Sequence, residues 1–477
     1  MSCLRCRPAG GGKVGVRQAG GASVMLALAL LVPLSGAGRL PAPAPALFEL
    51  AAFPTDAVCA PLPPPRGRVV RVSTVAQLVR AADDATAGTT ILVADGTYDL
   101  DGAFLRLDTA NVTVRSASGI PESVVLDGNY RTAEIVQIVA SNVTVADLTL
   151  REAYDHPIHV MSGEHGHTAN TLIYNVHVVD PGQQAIKINP VAGGGFTDRG
   201  VVACSRLELT DAGRPRVRDN CYTGGVDAHA SRDWIIRDNV IQGFWCDSGL
   251  AEHGIHFWKV SRDPVVERNV LRNNARGIGF GMATSGEGRV YPDPACPGAT
   301  GYVDHVGGII RNNAVSADDA RLFRSADGFD CGICLWNACG VRALHNTVYT
   351  TNPGRTFSAV EWRFANTRVD VANNLVNHVM RERDGARAVQ AGNVTTAQAG
   401  WFVNAAGGDL HLAPAAAGAI DRVRAPRDVP DDLDGDPRPP GDRADVGADE
   451  LGTPRPPPAS RPAGMGGRKS PGPAAFR

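Results

Sequence analysis

A four-residue phrase returns along this chain. Asn111-Val112-Thr113-Val114 comes back 31 residues later as Asn142-Val143-Thr144-Val145, and repetition at that interval constrains the fold more than any other feature. Units of about 20 to 50 residues cannot bury an apolar face alone, so they stack on one another as solenoids or propellers. Asn stands before apolar β-forming residues again at Asn175, Asn239, Asn269, Asn313, Asn346 and Asn374, with steps that include 30, 33 and 28 residues. Propeller blades need about 40 to 50 residues for four strands, so these shorter units favour a coil. An Asn at one place in every turn can hydrogen-bond to its copies above and below, which makes a structural ladder the expected role.

A second pattern gives the strands their faces. Gly224 to His229, His253 to Trp258 and Arg276 to Gly281 share one alternation, in which Val226, Ile255 and Ile278 point in while Asp227, His256 and Gly279 point out. Extending it gives ten inward positions: Leu105, Val136, Ile158, Ile186, Val226, Ile255, Ile278, Ile333, Val360 and Val389. Unequal steps between them fit loops of variable length between short strands. The longest, about Ala283 to His305, is rich in Gly and Pro and is expected to project from the side. The 54 Gly and 6% aromatic content suit such a turn-rich β protein.

The ends read differently. Residues 1–38 carry Lys13, Arg17 and a short apolar run closing in small residues, the pattern of a secretory signal. Residues 39–68 are a Pro/Ala-rich leader, residues 69–451 the repeating domain, and residues 452–477 a tail expected to be disordered. Ser73 or Thr74 caps a short helix carrying Val75, Leu78, Val79 and Ala82 on one face, which would cover the first open sheet edge. Eight cysteines remain beyond the signal, and an even number in an exported chain points to disulfides. A formal charge of −2 gives no reason to expect nucleic acid or an anionic membrane as partner; the expected state is a secreted monomer, extracellular or periplasmic.

Three stretches together resemble one family: the Val93 to Tyr98 start (Val-Ala-Asp-Gly-Thr-Tyr), the Asn-Val-Thr-Val turns, and the close from Asp434 to Glu450. The chain is similar there to the right-handed parallel β-helix superfamily that contains the pectate and other polysaccharide lyases. The resemblance implies an all-β fold, a right-handed parallel β-helix of about ten rungs with a short N-terminal capping helix, and a polysaccharide as substrate or ligand. Departures are specific: the Arg-x-Pro-x-x-Arg motif of pectate lyases is missing, their calcium-binding aspartates have no clear counterpart, and the paired-Asp motifs of polygalacturonase-like hydrolases are absent.

Outward positions on successive rungs form rows about 4.8 Å apart. The first runs Arg106, Gln137, His159, Lys187, Asp227, His256, Gly279, Cys334, Glu361 and Gln390; the second includes Asn189, His229, Trp258, Gly281, Trp336 and Arg363. Reactive groups gather on the middle rungs. Lys187, Asp227, His229 and His256 are the expected catalytic set. Substrate contacts are expected from His159, Asn189, Trp258, Trp336, Glu361 and Arg363, with Gly279 and Gly281 as a bare floor between two indoles.

Elimination on an acidic, uronate-containing glycan needs a neutralised carboxylate and a base beside the α-carbon. Lys187 would neutralise, or act as base if desolvation lowered its pKa; His229 or His256 would serve as base or acid. Asp227 would orient a histidine or hold a cation. Asp227, His229 and His256 are suitable metal ligands, as is His253 if the turn rotates it against strand parity; no ligand set is assigned, and a divalent cation such as calcium stays open as a cofactor. The alternatives are a non-catalytic carbohydrate-binding or surface-structural β-helix, and a glycoside hydrolase.

Overall fold

The computed structural model describes residues 59–452 apart from 164, 165, 294, 295, 440 and 442. The expected signal, most of the leader and nearly all of the tail lie outside the described residues. The chain winds through three long sheets in turn. One has ten strands, from Leu105–Leu107 to Met380–Arg383; a second has ten, from Gly96–Asp99 to Leu375–Val376; the third has fourteen and begins at Arg68–Val72. Within a sheet each strand pairs in parallel with its counterpart one turn away, as Ile158 lies beside Ile186 and Ile186 beside Val226. Strands that return to the same sheet in parallel through a crossover take the right-handed path. The molecule is a right-handed parallel β-helix.

Its core is the column that alternation picks out. Nine of the ten expected inward residues, Leu105 to Val360, are fully buried. The tenth is a correction: Val389 is 70% exposed and pairs with Asp370 in the fourteen-stranded sheet. The rung after Val360 is Met380–Arg383, with Met380 beside Val360 and Arg381 beside Glu361. Met380 starts a run of charged residues, so its strand lacks the apolar alternation that Arg387–Ala391 happens to show.

One corner of the coil is held by the asparagine ladder. Asn239, Asn269, Asn313, Asn346 and Asn374 are buried, and each side-chain amide donates to the next carbonyl at 2.9 to 3.0 Å, ending on Asn393. Asn175 stands one residue out of this column. It occupies the left-handed turn position with φ 51° that Asp238 takes two turns on, leaving Ser205 to open the ladder.

A helix over Val75–Asp83 covers the start, with the Thr74 hydroxyl accepting from the Gln77 amide and Leu78, Ala81 and Ala82 buried. Residues 59–67 run along the coil, tied by the Cys59–Cys204 disulfide. The remaining bridges are Cys221–Cys246, Cys296–Cys339 and Cys331–Cys334, so all eight described cysteines are paired. At the far end Arg438 is buried and donates to Glu450, Asn312 and the Gly447 carbonyl, stapling the terminal turn. Asp432 there accepts backbone amides from Asp434 and Asp436.

Candidate functional site

The middle strands of the first sheet carry the polar row in the expected register: His159 beside Lys187, Lys187 beside Asp227, Asp227 beside His256, and His229 beside Trp258. Lys187 is the hub. Its ammonium contacts the Asp227 carboxylate and lies 3.0 Å from both the Tyr222 hydroxyl and His229 Nε2, and His229 Nε2 lies 3.1 Å from the same Asp227 oxygen. Asp227 is 1% exposed; its other oxygen accepts from the Trp258 indole at 2.8 Å. Tyr222 lies in the loop before the strand Gly224–His229, where the Cys221–Cys246 bridge anchors it.

Burial and charge set the protonation states. Burial pushes the Asp227 carboxyl up, but Lys187 and His229 overcome this and hold it well below the usual carboxylate range. Burial lowers the Lys187 ammonium, and Asp227 more than restores it, so Lys187 is raised and stays charged. That removes the condition under which Lys187 would serve as base. Burial lowers His229 despite Asp227, and burial with the Asp227 charge raises Tyr222. A neutral imidazole and a protonated phenol therefore flank a fixed ammonium.

The remaining expected contacts are placed as follows. His159 bridges Glu134 Oε1 at 2.6 Å and Asn189 Oδ1 at 2.5 Å, and Asn189 donates to the Pro190 carbonyl, so the three form a relay beside Lys187. His256 is fully buried, stacked on Trp258 with ring centroids 5.3 Å apart. The glycine floor is not bare. The His253 ring lies over Gly279, where an added Cβ would meet it at 2.5 Å, and an added Cβ on Gly281 would strike the Trp336 carbonyl. Trp336 is 6% exposed, donates to Glu361 and packs by the Cys331–Cys334 bridge; Glu361 is fully buried against it and Arg383. Arg363 pairs with Asp384 at 2.5 Å. The row is therefore partly exposed at Tyr222, His229, Trp258 and Asn189 and filled beyond Gly279.

His253 reaches the outer face by a break in parity. Gly254 and Ile255 both face in: a Cβ on Gly254 would come 2.8 Å from Leu271 in the core, and Ile255 is fully buried. Two consecutive inward residues turn the preceding side chain out. Beside it lies Glu252, which sequence reasoning missed along with Tyr222. Its Oε2 is 3.2 Å from His256 Nδ1 and 3.8 Å from His253 Nδ1. A second trio of possible ligands, His411, Asp434 and Asp449, lies near the C-terminal turn.

No family model and no curated protein sequence matches the chain. Among solved structures it is similar to an alginate lyase from Paenibacillus sp., with 15% identity and a TM-score of 0.44 over 69% of this chain and 99% of that one. A pectate lyase gives 12% identity and 0.47 over 78% and 90%. The tailspike protein of E. coli bacteriophage HK620, solved with a pentasaccharide, gives 12% and 0.42 over 69% and 59%. The chain's own topology, three parallel sheets wound in succession, is that of a right-handed parallel β-helix.

Proposed function

We propose that the protein acts on a polysaccharide and cleaves an acidic, uronate-containing glycan by β-elimination at the Lys187 cluster. The carrying observation is one charged ammonium that holds a neutral histidine, a protonated tyrosine and a buried carboxylate within a single hydrogen-bonded group. An incoming uronate carboxylate takes the Lys187 hydrogen bond from His229, and the positive charge stabilises the enolate-like charge that develops. His229 Nε2, released, removes the proton α to the carboxylate. The electrons form a carbon–carbon double bond, the glycosidic C–O bond breaks, and the leaving oxygen takes the Tyr222 proton. Asp227 keeps Lys187 charged and oriented, and Trp258, fixed by its bond to Asp227 and partly exposed beside Lys259, offers its indole to a sugar.

Hydrolysis by two carboxylates has less support. Asp227 and Glu361 stand four strand steps apart, about 19 Å at about 4.8 Å per step. Asp227 and Glu252 come closer, but His256 Nδ1 sits between them at 3.7 and 3.2 Å, leaving no passage for a glycosidic oxygen. The deciding experiment offers the protein a panel of uronate-containing polysaccharides and follows ultraviolet absorbance from a new double bond. Growth of that absorbance, abolished in Lys187→Met and His229→Gln, supports elimination. New reducing ends without it would shift the reading to hydrolysis, and glycan binding without new ends to a binding module.

A further inference from the structure

Glu252 Oε2, both ring nitrogens of His253 and Nδ1 of His256 are buried and make no hydrogen bond. Four orphaned polar atoms in one place are costly, and they converge. One ligand atom from each of the three residues lies within 4.8 Å of the others. His253 and His256 are fully buried, with ring centroids 4.2 Å apart.

A shared proton does not resolve the cluster. His256 Nε2 faces the Gly281 carbonyl at 3.4 Å and carries the hydrogen in that contact, which leaves the Nδ1 lone pair directed at the Glu252 oxygen 3.2 Å away. A proton on Nδ1 would pair those two and leave His253 with nothing. A cation among the three engages one atom of each residue, Glu252 Oε2, one His253 nitrogen and His256 Nδ1, and leaves a single His253 nitrogen without a partner. Tetrahedral ligands at about 2.0 to 2.1 Å from a metal stand about 3.3 Å from one another, close to the 3.2 and 3.8 Å separations here. The Gly281 carbonyl then serves as the outer partner that fixes the tautomer of a metal-bound histidine.

We propose that Glu252, His253 and His256 bind one divalent transition-metal ion, zinc or a chemically similar metal, as a three-ligand centre beneath the polar row. Two imidazoles and one carboxylate are the donor set of borderline metals, whereas calcium takes six to eight oxygens. Cys331 and Cys334 also approach His253, but they are joined to each other and have no thiolate to give. The centre lies beside Asp227 and positions His256 and its stacked partner Trp258, so it supports the site without taking part in the elimination step.

The test contains no glycan, so its failure is separable from failure of the elimination reading. The chain is produced without a metal-affinity tag, unfolded in chelator, and refolded with zinc, cobalt(II) or calcium. Bound metal is counted after gel filtration, and cobalt(II) is read by its visible absorption. About one zinc or cobalt per chain, with a tetrahedral cobalt spectrum and no calcium, is expected. The near-isosteric Glu252→Gln, together with His253→Gln, should bring bound metal below about a tenth of an equivalent, circular dichroism confirming that each variant folds. Less than a tenth of an equivalent in the parent protein, undiminished binding in both variants, or preference for calcium would each overturn the proposal.

Discussion

The imidazole of His253 rests on Gly279 so closely that an added Cβ would lie 2.5 to 2.7 Å from three of its ring atoms. Gly279 exists for that ring. Its backbone is not in the left-handed region, so Gly279→Ala acts through the clash alone and must move a fully buried histidine. Overpacking of this kind costs about 1 to 3 kcal/mol. The urea midpoint of Gly279→Ala should fall accordingly, and an unchanged midpoint would show that His253 is free to swing aside.

Tyr222→Phe separates chemistry from binding. The phenol is the proposed proton donor, and its removal leaves ring packing intact while Lys187 keeps its bonds to Asp227 and His229. A lost general acid costs about 10² to 10⁴ in rate, so kcat should drop in that range with KM little changed. The pH profile of the unsubstituted protein carries a matching sign. Because His229 is lowered, its neutral form persists below the ordinary histidine pKa of about 6.5. The acid limb of kcat/KM should therefore fall below that value, and His229→Gln should remove activity at every pH.

Asn313 sits mid-ladder with every bond internal. Its amide donates to Asn346, the Val266 carbonyl and the Arg311 carbonyl, and its oxygen accepts from Asn269. Asn313→Ala strands several buried partners at once, each worth about 1 to 3 kcal/mol. Chemical denaturation should show a loss of about 2 to 5 kcal/mol, while the catalytic constants of the folded fraction stay as they were.

The strand column was legible because alternation reports burial directly, which is why Leu105 to Val360 fall where the period of two puts them. It failed where the sequence mimicked or broke the period. Val389 copies the pattern on a strand that belongs to another sheet, and His253 escapes it because Gly254 turns in. Tyr222 and Glu252 were invisible for a different reason: both precede a strand, and a loop residue's direction follows from the chain path rather than from any period. The glycine row also misled, since a missing side chain marks close approach by a neighbour as readily as open surface. A signal existed for Glu252, two histidines within four residues of it.

Acid should destabilise the coil. Burial lowers His156 and His345 to about 3, whereas in the unfolded chain each titrates near about 6.5. Between those values the unfolded state binds protons that the folded state refuses, so stability falls as pH drops from about 6.5 toward 3. Each histidine contributes a slope of up to about 1.4 kcal/mol per pH unit. Denaturation midpoints measured from pH 7 to 4.5 should decline, and His345→Gln should flatten the decline; an unchanged slope in that variant would mean that His345 takes up its proton while folded.

Trp258 and Trp336 looked equivalent as a pair of indoles flanking glycine, and the structure makes them opposites. Trp258 is partly exposed, its Nε1 held by Asp227 and one face stacked on His256. Trp336 is sealed, its Nε1 given to a buried Glu361 and its ring packed near His253. Trp336→Ala opens a cavity and leaves Glu361 short of a donor, a combination that costs about 3 to 5 kcal/mol. It should lower the thermal midpoint strongly and leave KM of the folded protein within about twofold. Trp258→Ala should do the reverse in kind: a KM raised by about tenfold, for about 1.4 kcal/mol of lost sugar contact, with a smaller fall in stability. Glycan affinity and urea midpoints of the two variants together check this, and a KM effect confined to Trp336→Ala would place the sugar on the glycine side of the row instead.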